Sequence, residues 1–191
     1  MDVIHLNEDL FIGKGTQRRC YRHPENKDIC IKIKVSNSHP RRDQNVREYK
    51  YYKILEKRGI DWTHAAKCHG WVNTNIGRGL MFEHICDSGG NSLSHVKAQL
   101  DSNQVSSDEV CHELERLKDW IFKHGIIIPD LKLENMIYDQ QRPLGKRLII
   151  VDGISNRNAI TLASHMKMLA RYKMRKVWQR LEDKANLPCL G

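Results

Sequence analysis

The sequence contains no run of about 18 apolar residues, the length that a helix needs to span a bilayer. Its first ten residues have neither the basic start nor the apolar core of a signal peptide, so we expect no leader. The six cysteines are scattered, without a CxxC pair or a Cys/His group at zinc-ligand spacing. These absences predict a cytoplasmic protein with free thiols, without a membrane span or a zinc site.

Acidic residues are fewer than basic ones: 23 Asp and Glu against 32 Lys and Arg give a formal net charge of +9. A basic surface is compatible with nucleic acid, an anionic membrane or a phosphorylated substrate, and it favours none of them. An ordinary solvated surface is a further interpretation. With 191 residues the chain is long enough for one domain, or for two small lobes that share a cleft.

Three short strands are predicted near the start of the chain, at residues 10–12, 19–22 and 29–34. In the third strand apolar and polar residues alternate, as in a strand with one buried face. The first turn contains Gly13-Lys14-Gly15-Thr16, and a GxG sequence lets the backbone approach an anion because no Cβ intervenes. An ordinary hairpin turn has the same pattern, and Lys32 alone is equally typical of a solvated strand lysine.

A helix is predicted over residues 41–58, because apolar residues recur three apart at Val46, Tyr49, Tyr52 and Leu55. Glu48 lies in the middle of this helix, just off the apolar stripe. Taken alone, Glu48 is typical of a solvent-facing residue that pairs with a Lys or Arg four positions away.

The middle of the chain changes from predicted strands to predicted helices. Strands are predicted at residues 71–72 and 80–85, a polar hinge at 86–91, and helices at 92–102 and 106–125. The longer helix starts with Ser106-x-x-Glu109, a capping-box pattern, and Gly125 ends it. We interpret the helical spacing of its apolar residues as core packing and assign this helix no catalytic or binding role.

Residues 125–138 read GIIIPDLKLENMIY, an apolar run, a polar loop and a second apolar run. This pattern predicts a strand, a loop and a strand, with Asp130 and Asn135 held between buried segments. A second carboxylate, Asp152, ends the apolar run 148–151. Two carboxylates and a carboxamide at strand ends would suit a Mg²⁺–phosphate site, because this hard cation takes oxygen ligands.

The last part of the chain is predicted as a helix over residues 159–184 with an apolar and a basic side. Its apolar members are Leu162, Met166, Leu169, Tyr172, Val177, Trp178 and Leu181. Its basic members are Lys167, Arg171, Lys173, Arg175, Lys176 and Arg180. A core helix with a solvated basic face explains this pattern. Contact with an anionic partner, such as phospholipid headgroups, lipopolysaccharide core sugars or nucleic acid, explains it as well. The scattered aromatic residues show no stacking pattern, which disfavours nucleic acid.

Taken in order, these segments resemble the protein-kinase-like fold from Ile12 to Asp152. The matching pieces are Gly13-Lys14-Gly15 as a glycine-rich loop, Cys30-Ile31-Lys32 as the strand lysine, Glu48 as its helix partner, Phe82-Glu83-His84-Ile85 as gatekeeper and hinge, Asp130-Leu131-Lys132-Leu133-Glu134-Asn135 as the catalytic loop, and Asp152-Gly153 in place of D-F-G. The resemblance implies an α+β, two-lobed minimal protein-kinase-like fold. It would form a single domain over residues 1–191, with a β-rich lobe (1–85), a hinge (86–91) and a truncated, mainly helical lobe (92–191).

The resemblance also implies ATP and Mg²⁺ as cofactors and gives each matching residue a role. Asp130 would orient or deprotonate the acceptor hydroxyl, and Lys132 would lie near the transferred phosphate. Asn135 and Asp152 would ligate Mg²⁺. The nucleotide would be bound by Gly13, Lys14, Gly15 and Thr16 over the phosphates, by Lys32 held by Glu48, and by Cys20, Ile31, Glu83 and Ile85 around adenine.

More narrowly, the chain resembles a bacterial YrbL-type family of the PhoP regulon. The supporting residues are Gly13-Lys14-Gly15, Arg19-Cys20-Tyr21-Arg22-His23-Pro24-Glu25, Cys30-Ile31-Lys32-Ile33, Arg47-Glu48-Tyr49-Lys50-Tyr51-Tyr52 and Leu131-Lys132-x-x-Asn135, and the match extends to about Asn158. This resemblance implies a kinase-like module. It leaves the phosphate acceptor open among a small molecule, a saccharide and a protein.

Four departures from the kinase pattern argue against a conventional protein kinase. Ile128-Pro129 stand in place of His-Arg, Gly153-Ile154 follow Asp152 without the regulatory Phe, Arg18 replaces the third loop glycine, and the 39 residues from 153 to 191 contain no A-P-E pattern. We therefore expect an ATP–Mg²⁺-dependent phosphotransferase, with a non-catalytic kinase-like regulator of a PhoP-linked stress response as the alternative. A basic module that binds a membrane or nucleic acid is a third interpretation, and it rests on charge alone.

Overall fold

The computed structural model describes residues 3–35, 43–140, 145–156, 167–185, 187 and 189. Within these residues the protein is a mixed α+β structure with a five-stranded antiparallel sheet, a two-stranded hairpin and four α-helices. The chain divides into two compact units: unit 1 comprises Met1–Lys50 and Ala66–Ser92, and unit 2 comprises Tyr51–Ala65 and Leu93–Gly191. The predicted hinge at residues 86–91 lies in unit 1, and the predicted single-domain, two-lobed organisation stays a prediction.

The sheet belongs to unit 1. Its strands are β1 (Phe11–Lys14), β2 (Arg18–Arg22), β3 (Ile29–Lys34), β4 (Cys68–Thr74) and β5 (Gly77–Glu83), in the spatial order β1-β2-β3-β5-β4. The predicted bounds of β3 are confirmed, and β4 and β5 together are longer than predicted. The turn between β4 and β5 is closed by Thr74, whose hydroxyl donates to the Gly77 carbonyl oxygen at 2.5 Å.

Strand β3 is the central strand of the sheet, and its residues 30–33 are buried on both faces. Ile31 and Ile33 are 0% and 4% exposed, and with Leu6 and Tyr21 they form a hydrophobic cluster. The alternation predicted only one buried face, yet Lys32 on the other face is also buried. On that face Lys32 lies against the Phe82 ring of β5, a contact that the sequence of β3 alone does not reveal.

The four helices are α1 (Gln44–Lys57), α2 (Val96–Asp101), α3 (Ser107–His124) and α4 (Lys167–Ala185). Helix α1 belongs to unit 1 as far as Lys50 and to unit 2 from Tyr51, whereas the others lie in unit 2. The predicted capping box is confirmed: the Ser106 hydroxyl accepts from Glu109 N, and the Glu109 carboxylate accepts from Ser106 N. Gly125 ends α3 in the left-handed conformation, as predicted.

The hairpin of unit 2 consists of β6 (Met136–Asp139) and β7 (Arg147–Ile150). Both strands are fully buried, as their apolar runs predict. The predicted strand over residues 126–128 is wrong. This segment is buried and lies outside the two sheets. Ile126 N donates to the Ile121 carbonyl oxygen of α3, and Ile127 N and Ile128 N donate to side chains, so no neighbouring strand is needed to satisfy them.

Helix α4 differs from the prediction in which residues it buries. Its buried side chains are Ala170, Met174, Trp178 and Leu181, whereas Leu169 and Tyr172, predicted as apolar-side members, are 39% and 61% exposed. The predicted start at residue 159, with Leu162 and Met166, falls outside the described residues.

Two of the cysteines correct the prediction of free thiols. Cys111 on α3 and Cys189 form a disulfide in unit 2, with their Cα atoms 5.7 Å apart. Their sequence separation of 78 offers no local pattern from which to predict the bond. Cys20, Cys30, Cys68 and Cys86 take part in no disulfide. None of the helices in the described part of the chain has the length and apolarity needed to cross a membrane.

Candidate functional site

Lys32 occupies the middle of β3, opposite Cys20 on β2 and Leu80 on β5. Its side chain is 8% exposed, and Nζ lies 4.5 Å from the centroid of the Phe82 ring. A lysine ammonium over an aromatic face is stabilised by the ring quadrupole, which offsets part of the cost of its burial. The interpretation of Lys32 as a solvated strand lysine is therefore wrong.

Glu48 on α1 is also buried, at 2% exposure, and not solvent-facing. Its two carboxylate oxygens accept from the two terminal nitrogens of Arg18, Nη1 at 2.6 Å and Nη2 at 3.1 Å. Gln44 Nε2 donates to Oε1 at 3.1 Å. A bidentate Arg–carboxylate pair of this kind is a strong interaction, and it also fixes the orientation of both side chains.

Asn45 joins this pair to β3. Its Oδ1 accepts from Arg18 Nη1 at 2.9 Å, and its Nδ2 donates to the Lys32 carbonyl oxygen at 2.8 Å. Asn45 is 1% exposed, so both hydrogen bonds are shielded from water. We call Arg18, Lys32, Asn45 and Glu48 the buried cluster.

The sequence interpretation missed two residues of the buried cluster, Arg18 and Asn45. In the kinase pattern Arg18 was noted only as the residue that replaces the third loop glycine. Arg18 could have been recognised because arginine stays charged at any physiological pH and so needs an acidic partner when it is buried. It lies on β2 beside β3, which carries Lys32, and the following helix, α1, carries Glu48. That signal becomes readable only once β2 is paired with β3 and α1 is packed on them.

The predicted glycine loop is partly strand. Gly13 and Lys14 belong to β1, and the turn proper spans residues 15–17. Gly15 N donates to the Arg18 carbonyl oxygen at 2.8 Å, while Lys14 and Thr16 are exposed. The turn thus leads directly into the arginine of the buried cluster.

Of the predicted adenine contacts, Cys20 lies on β2 and Ile31 on β3, Glu83 ends β5, and Ile85 follows it. A hydrogen bond with the Cys20 thiol, together with burial, raises the pKa of Cys30 well above its usual value, so this thiol stays protonated. Glu83 N donates to the Lys67 carbonyl oxygen at 2.8 Å, and its Oε2 accepts from Lys67 N at 3.1 Å. Ile85 is 2% exposed.

In unit 2, Asp130 follows the buried segment 126–128. Ile127 N donates to the Tyr51 hydroxyl at 2.8 Å, and Ile128 N to Met174 Sδ at 3.3 Å. Burial raises the pKa of Tyr51 to about 12, so its hydroxyl stays a neutral acceptor and donor. Helices α1 and α4 therefore supply the side chains that hold the approach to Asp130.

Asn135 closes the loop back onto Asp130. Its Nδ2 donates to the Asp130 carbonyl oxygen at 2.7 Å and to the carboxylate Oδ2 at 3.0 Å. Lys132 Nζ lies 3.1 Å from the same Oδ2. Residues 130–135 form what we call the Asp130 loop, and its Asp130 and Lys132 side chains are 65% and 47% exposed.

The segment after β7 completes this group. Val151 N donates to the Asn135 carbonyl oxygen at 3.0 Å, continuing the hairpin contact between Met136 and Ile150. Gly153 has φ +89°, and a Cβ there would lie 3.1 Å from the Asp130 carbonyl oxygen and 3.4 Å from Asn135 Nδ2. Asp152 Oδ1 accepts from Gly153 N at 2.8 Å. Unit 2 thus brings together Asp130, Lys132, Asn135 and the Asp152-Gly153 main chain.

Comparison with known proteins gives a family for the chain. Two curated proteins, each described as "Uncharacterized protein YrbL", from Escherichia coli (strain K12) and Shigella flexneri, are each 28% identical to it over 180 residues. Each match covers 93% of this chain and 86% of the relative. The model of the family described as PhoP regulatory network protein YrbL matches residues 4–186, and the chain belongs to this family.

Proposed function

We propose that the protein is a kinase-like, ATP–Mg²⁺-dependent phosphotransferase, in which the Asp130 loop performs the chemistry. The observation that supports this most is the double contact of Asn135 Nδ2 with the carbonyl and carboxylate oxygens of Asp130, next to Gly153. A carboxylate, an ammonium and a carboxamide are held there by short local bonds while Asp130 and Lys132 stay open to solvent.

The donor atoms of unit 2 fit Mg²⁺. Asn135 directs its amide nitrogen toward Asp130, so its Oδ1 is at the other end of the carboxamide, and Asp152 supplies a carboxylate. Within the described residues no group of three or more His, Cys, Asp or Glu could hold a metal alone. Mg²⁺ is commonly bound by one or two carboxylates together with substrate phosphates, which is the set available here. Held by Asn135 and Asp152, the ion would neutralise charge on the phosphates.

We assign Asp130 the role of general base toward the phosphate acceptor. Its carboxylate would accept the proton of the acceptor hydroxyl as that oxygen bonds to the γ-phosphorus of ATP, while the bond to the β,γ-bridging oxygen breaks and ADP leaves. Lys132, 3.1 Å from Asp130, would offset negative charge on the transferred group. The exposure of Asp130 keeps its carboxylate within reach of a bulky acceptor, such as a saccharide or a protein side chain, and of a small one.

In unit 1, the Lys32 ammonium and the main chain of the turn at Gly15 are both proposed to bind the phosphates of the nucleotide. The resemblance gave Glu48 the task of holding Lys32. We assign part of that task to Arg18 and Asn45, because Arg18 fixes Glu48 and Asn45 fixes the main chain of Lys32. The cluster would then preset the position of the lysine before nucleotide arrives.

A second candidate, a non-catalytic kinase-like regulator, is favoured by the same arginine. Two hydrogen bonds from Arg18 engage both oxygens of Glu48, a pairing that the resemblance did not imply. Such a protein would bind ATP or a partner without transferring phosphate.

The experiment compares the wild type with Asp130→Asn, using Glu134→Gln as the control because Glu134 is an exposed acid of the same loop. Thermal shift with ATP and Mg²⁺ measures nucleotide binding. Transfer of label from γ-labelled ATP to water or to the protein itself measures turnover. We expect all three proteins to bind ATP alike, and Asp130→Asn alone to lose turnover by about 100-fold or more.

Each alternative gives a different result. ATP binding without turnover in the wild type would favour the regulator. Turnover that is unchanged in Asp130→Asn would remove Asp130 from the chemistry. Absence of any ATP-dependent shift in all three proteins would overturn the phosphotransferase and leave only a regulator that binds a partner instead of ATP.

A further inference from the structure

One side of helix α4 is fixed within unit 2. The side chains of Ala170, Met174, Trp178 and Leu181 are at most 3% exposed. Lys118 on α3 reaches across to α4, with Nζ 3.2 Å from Glu182 Oε1 and 5.1 Å from the Trp178 ring centroid. Since this side already packs on α3, residues on the opposite side of α4 are not needed for the core.

The opposite side carries apolar residues nevertheless. Met168, Leu169 and Tyr172 are 75%, 39% and 61% exposed. Seven large apolar side chains are exposed in the described part of the chain, and three of them lie within these five consecutive residues. Single exposed apolar residues are ordinary, but a local concentration on one helix marks an interaction surface.

The same stretch of α4 is uniformly basic. Between residues 167 and 180 it has six basic residues and no acidic one: Lys167, Arg171, Lys173, Arg175, Lys176 and Arg180. All six are exposed, and Lys176 Nζ lies 5.8 Å from the Tyr172 ring centroid. The exposed apolar residues are therefore flanked by positive charge on a single helix surface.

We propose that this surface, Met168, Leu169 and Tyr172 with Lys173, Arg175 and Lys176, docks on an anionic phospholipid membrane. The ammonium and guanidinium groups would meet lipid phosphates, while the tips of the three apolar side chains enter the boundary between headgroups and acyl chains. Helix α4 would lie along the membrane and not cross it, in keeping with its buried opposite side.

The apolar residues decide between a membrane and nucleic acid. Both partners attract positive charge, and lysine and arginine alone would fit either. Met168 and Leu169 gain nothing from a sugar–phosphate backbone, whereas they gain from leaving water at a lipid surface. The proposal does not depend on phosphoryl transfer, because none of these residues belongs to the Asp130 loop or the buried cluster.

The test is cosedimentation of the full chain with phosphatidylcholine vesicles, with and without about 30% phosphatidylglycerol, at low ionic strength. We expect the wild type to partition onto the anionic vesicles only, and to be released as salt rises. Lys173→Gln with Lys176→Gln should weaken partitioning about 30-fold, at about fivefold for each lysine near the surface. The control variant, Lys57→Gln with Lys123→Gln, changes the net charge by the same amount. It should weaken partitioning onto the vesicles far less.

A second variant, Met168→Ser with Tyr172→Ser, tests the apolar contribution. Both side chains are exposed, so the fold should be retained, and circular dichroism checks this. We expect about tenfold weaker partitioning onto anionic vesicles and unchanged binding to a DNA duplex. Absence of wild-type binding to anionic vesicles would overturn the proposal. So would vesicle binding that this variant does not weaken, or equal weakening by both lysine pairs.

Discussion

The buried cluster of unit 1 and the Asp130 loop of unit 2 differ in how much water their charges contact. The side chains of Arg18 and Glu48 are 6% and 2% exposed, whereas those of Asp130 and Lys132 are 65% and 47% exposed. A buried pair is costly to break, because the remaining partner keeps an unpaired charge in a medium of low dielectric. An exposed pair is screened by water and salt. Substitutions in the buried cluster should therefore destabilise the protein strongly, whereas substitutions in the Asp130 loop should destabilise it little.

The largest effect is expected for Glu48→Ala. It would leave the Arg18 guanidinium buried without its carboxylate, and we expect a loss of about 3–5 kcal/mol in the free energy of unfolding. Urea unfolding measures this loss. Glu56→Ala on the same helix is the control: Glu56 pairs with Lys53 at the surface, and its loss should cost less than about 1 kcal/mol. Equal losses for the two variants would mean that burial does not determine how much stability each carboxylate contributes.

Gly153→Ala tests the crowded edge of the Asp130 loop. At φ +89° a side chain is strained, and its Cβ would press on the Asp130 carbonyl oxygen at 3.1 Å, so we expect a loss of about 1–3 kcal/mol. Gly145→Ala is matched in backbone, with φ +84°, but a Cβ there meets nothing within 4 Å. The difference between the two variants in urea unfolding isolates the contact. Weaker ATP–Mg²⁺ binding in Gly153→Ala alone would link that contact to the site.

Local signals were enough to predict much of the fold. The bounds of β3 follow from six residues of alternation, and both ends of α3 follow from Ser106-x-x-Glu109 and Gly125. The contact between Asp130 and Asn135 was also foreseeable, because five residues of loop between buried segments keep the two together. In each case the determining atoms are close in sequence.

The wrong predictions depend on atoms that are distant in sequence. Glu48 was expected in solvent because its partner, Arg18, lies 30 positions away. Residues 126–128 were expected to form a strand, since an apolar run does not reveal that Tyr51 would take the Ile127 main-chain donor. The bond between Cys111 and Cys189 likewise joins segments that no local pattern connects.

Asp61 of unit 2 is an intermediate case, 45% exposed but richly hydrogen-bonded. Burial favours its neutral form, yet hydrogen bonds from Thr63, Trp120 and His124 outweigh burial and lower its pKa to about 2 from 3.8. A lowered folded-state pKa gives stability that is present above about pH 4 and lost as pH falls toward 2. We expect about 1 kcal/mol, allowing for solvent screening. Between pH 6 and pH 2.5, urea unfolding should show a loss of stability that is about 1 kcal/mol smaller in Asp61→Asn than in the wild type. Other carboxyls with a lowered pKa, such as Glu109, contribute to the loss in both proteins.

The smallest effect on stability is expected for Asp130→Ala. The substitution removes an exposed ion pair with Lys132 and one bond from Asn135, whose Nδ2 keeps the Asp130 carbonyl oxygen as acceptor. We expect a change of about 0.5 kcal/mol in urea unfolding, close to that of Glu134→Ala in the same loop. A loss comparable to that of Glu48→Ala would show that the carboxylate has a structural task. Loss of phosphoryl transfer in an Asp130 variant would then no longer identify the residue that receives the proton. A small change would show that the Asp130 carboxylate contributes little to folding, and loss of phosphoryl transfer in an Asp130 variant would then report on its proposed role toward the acceptor.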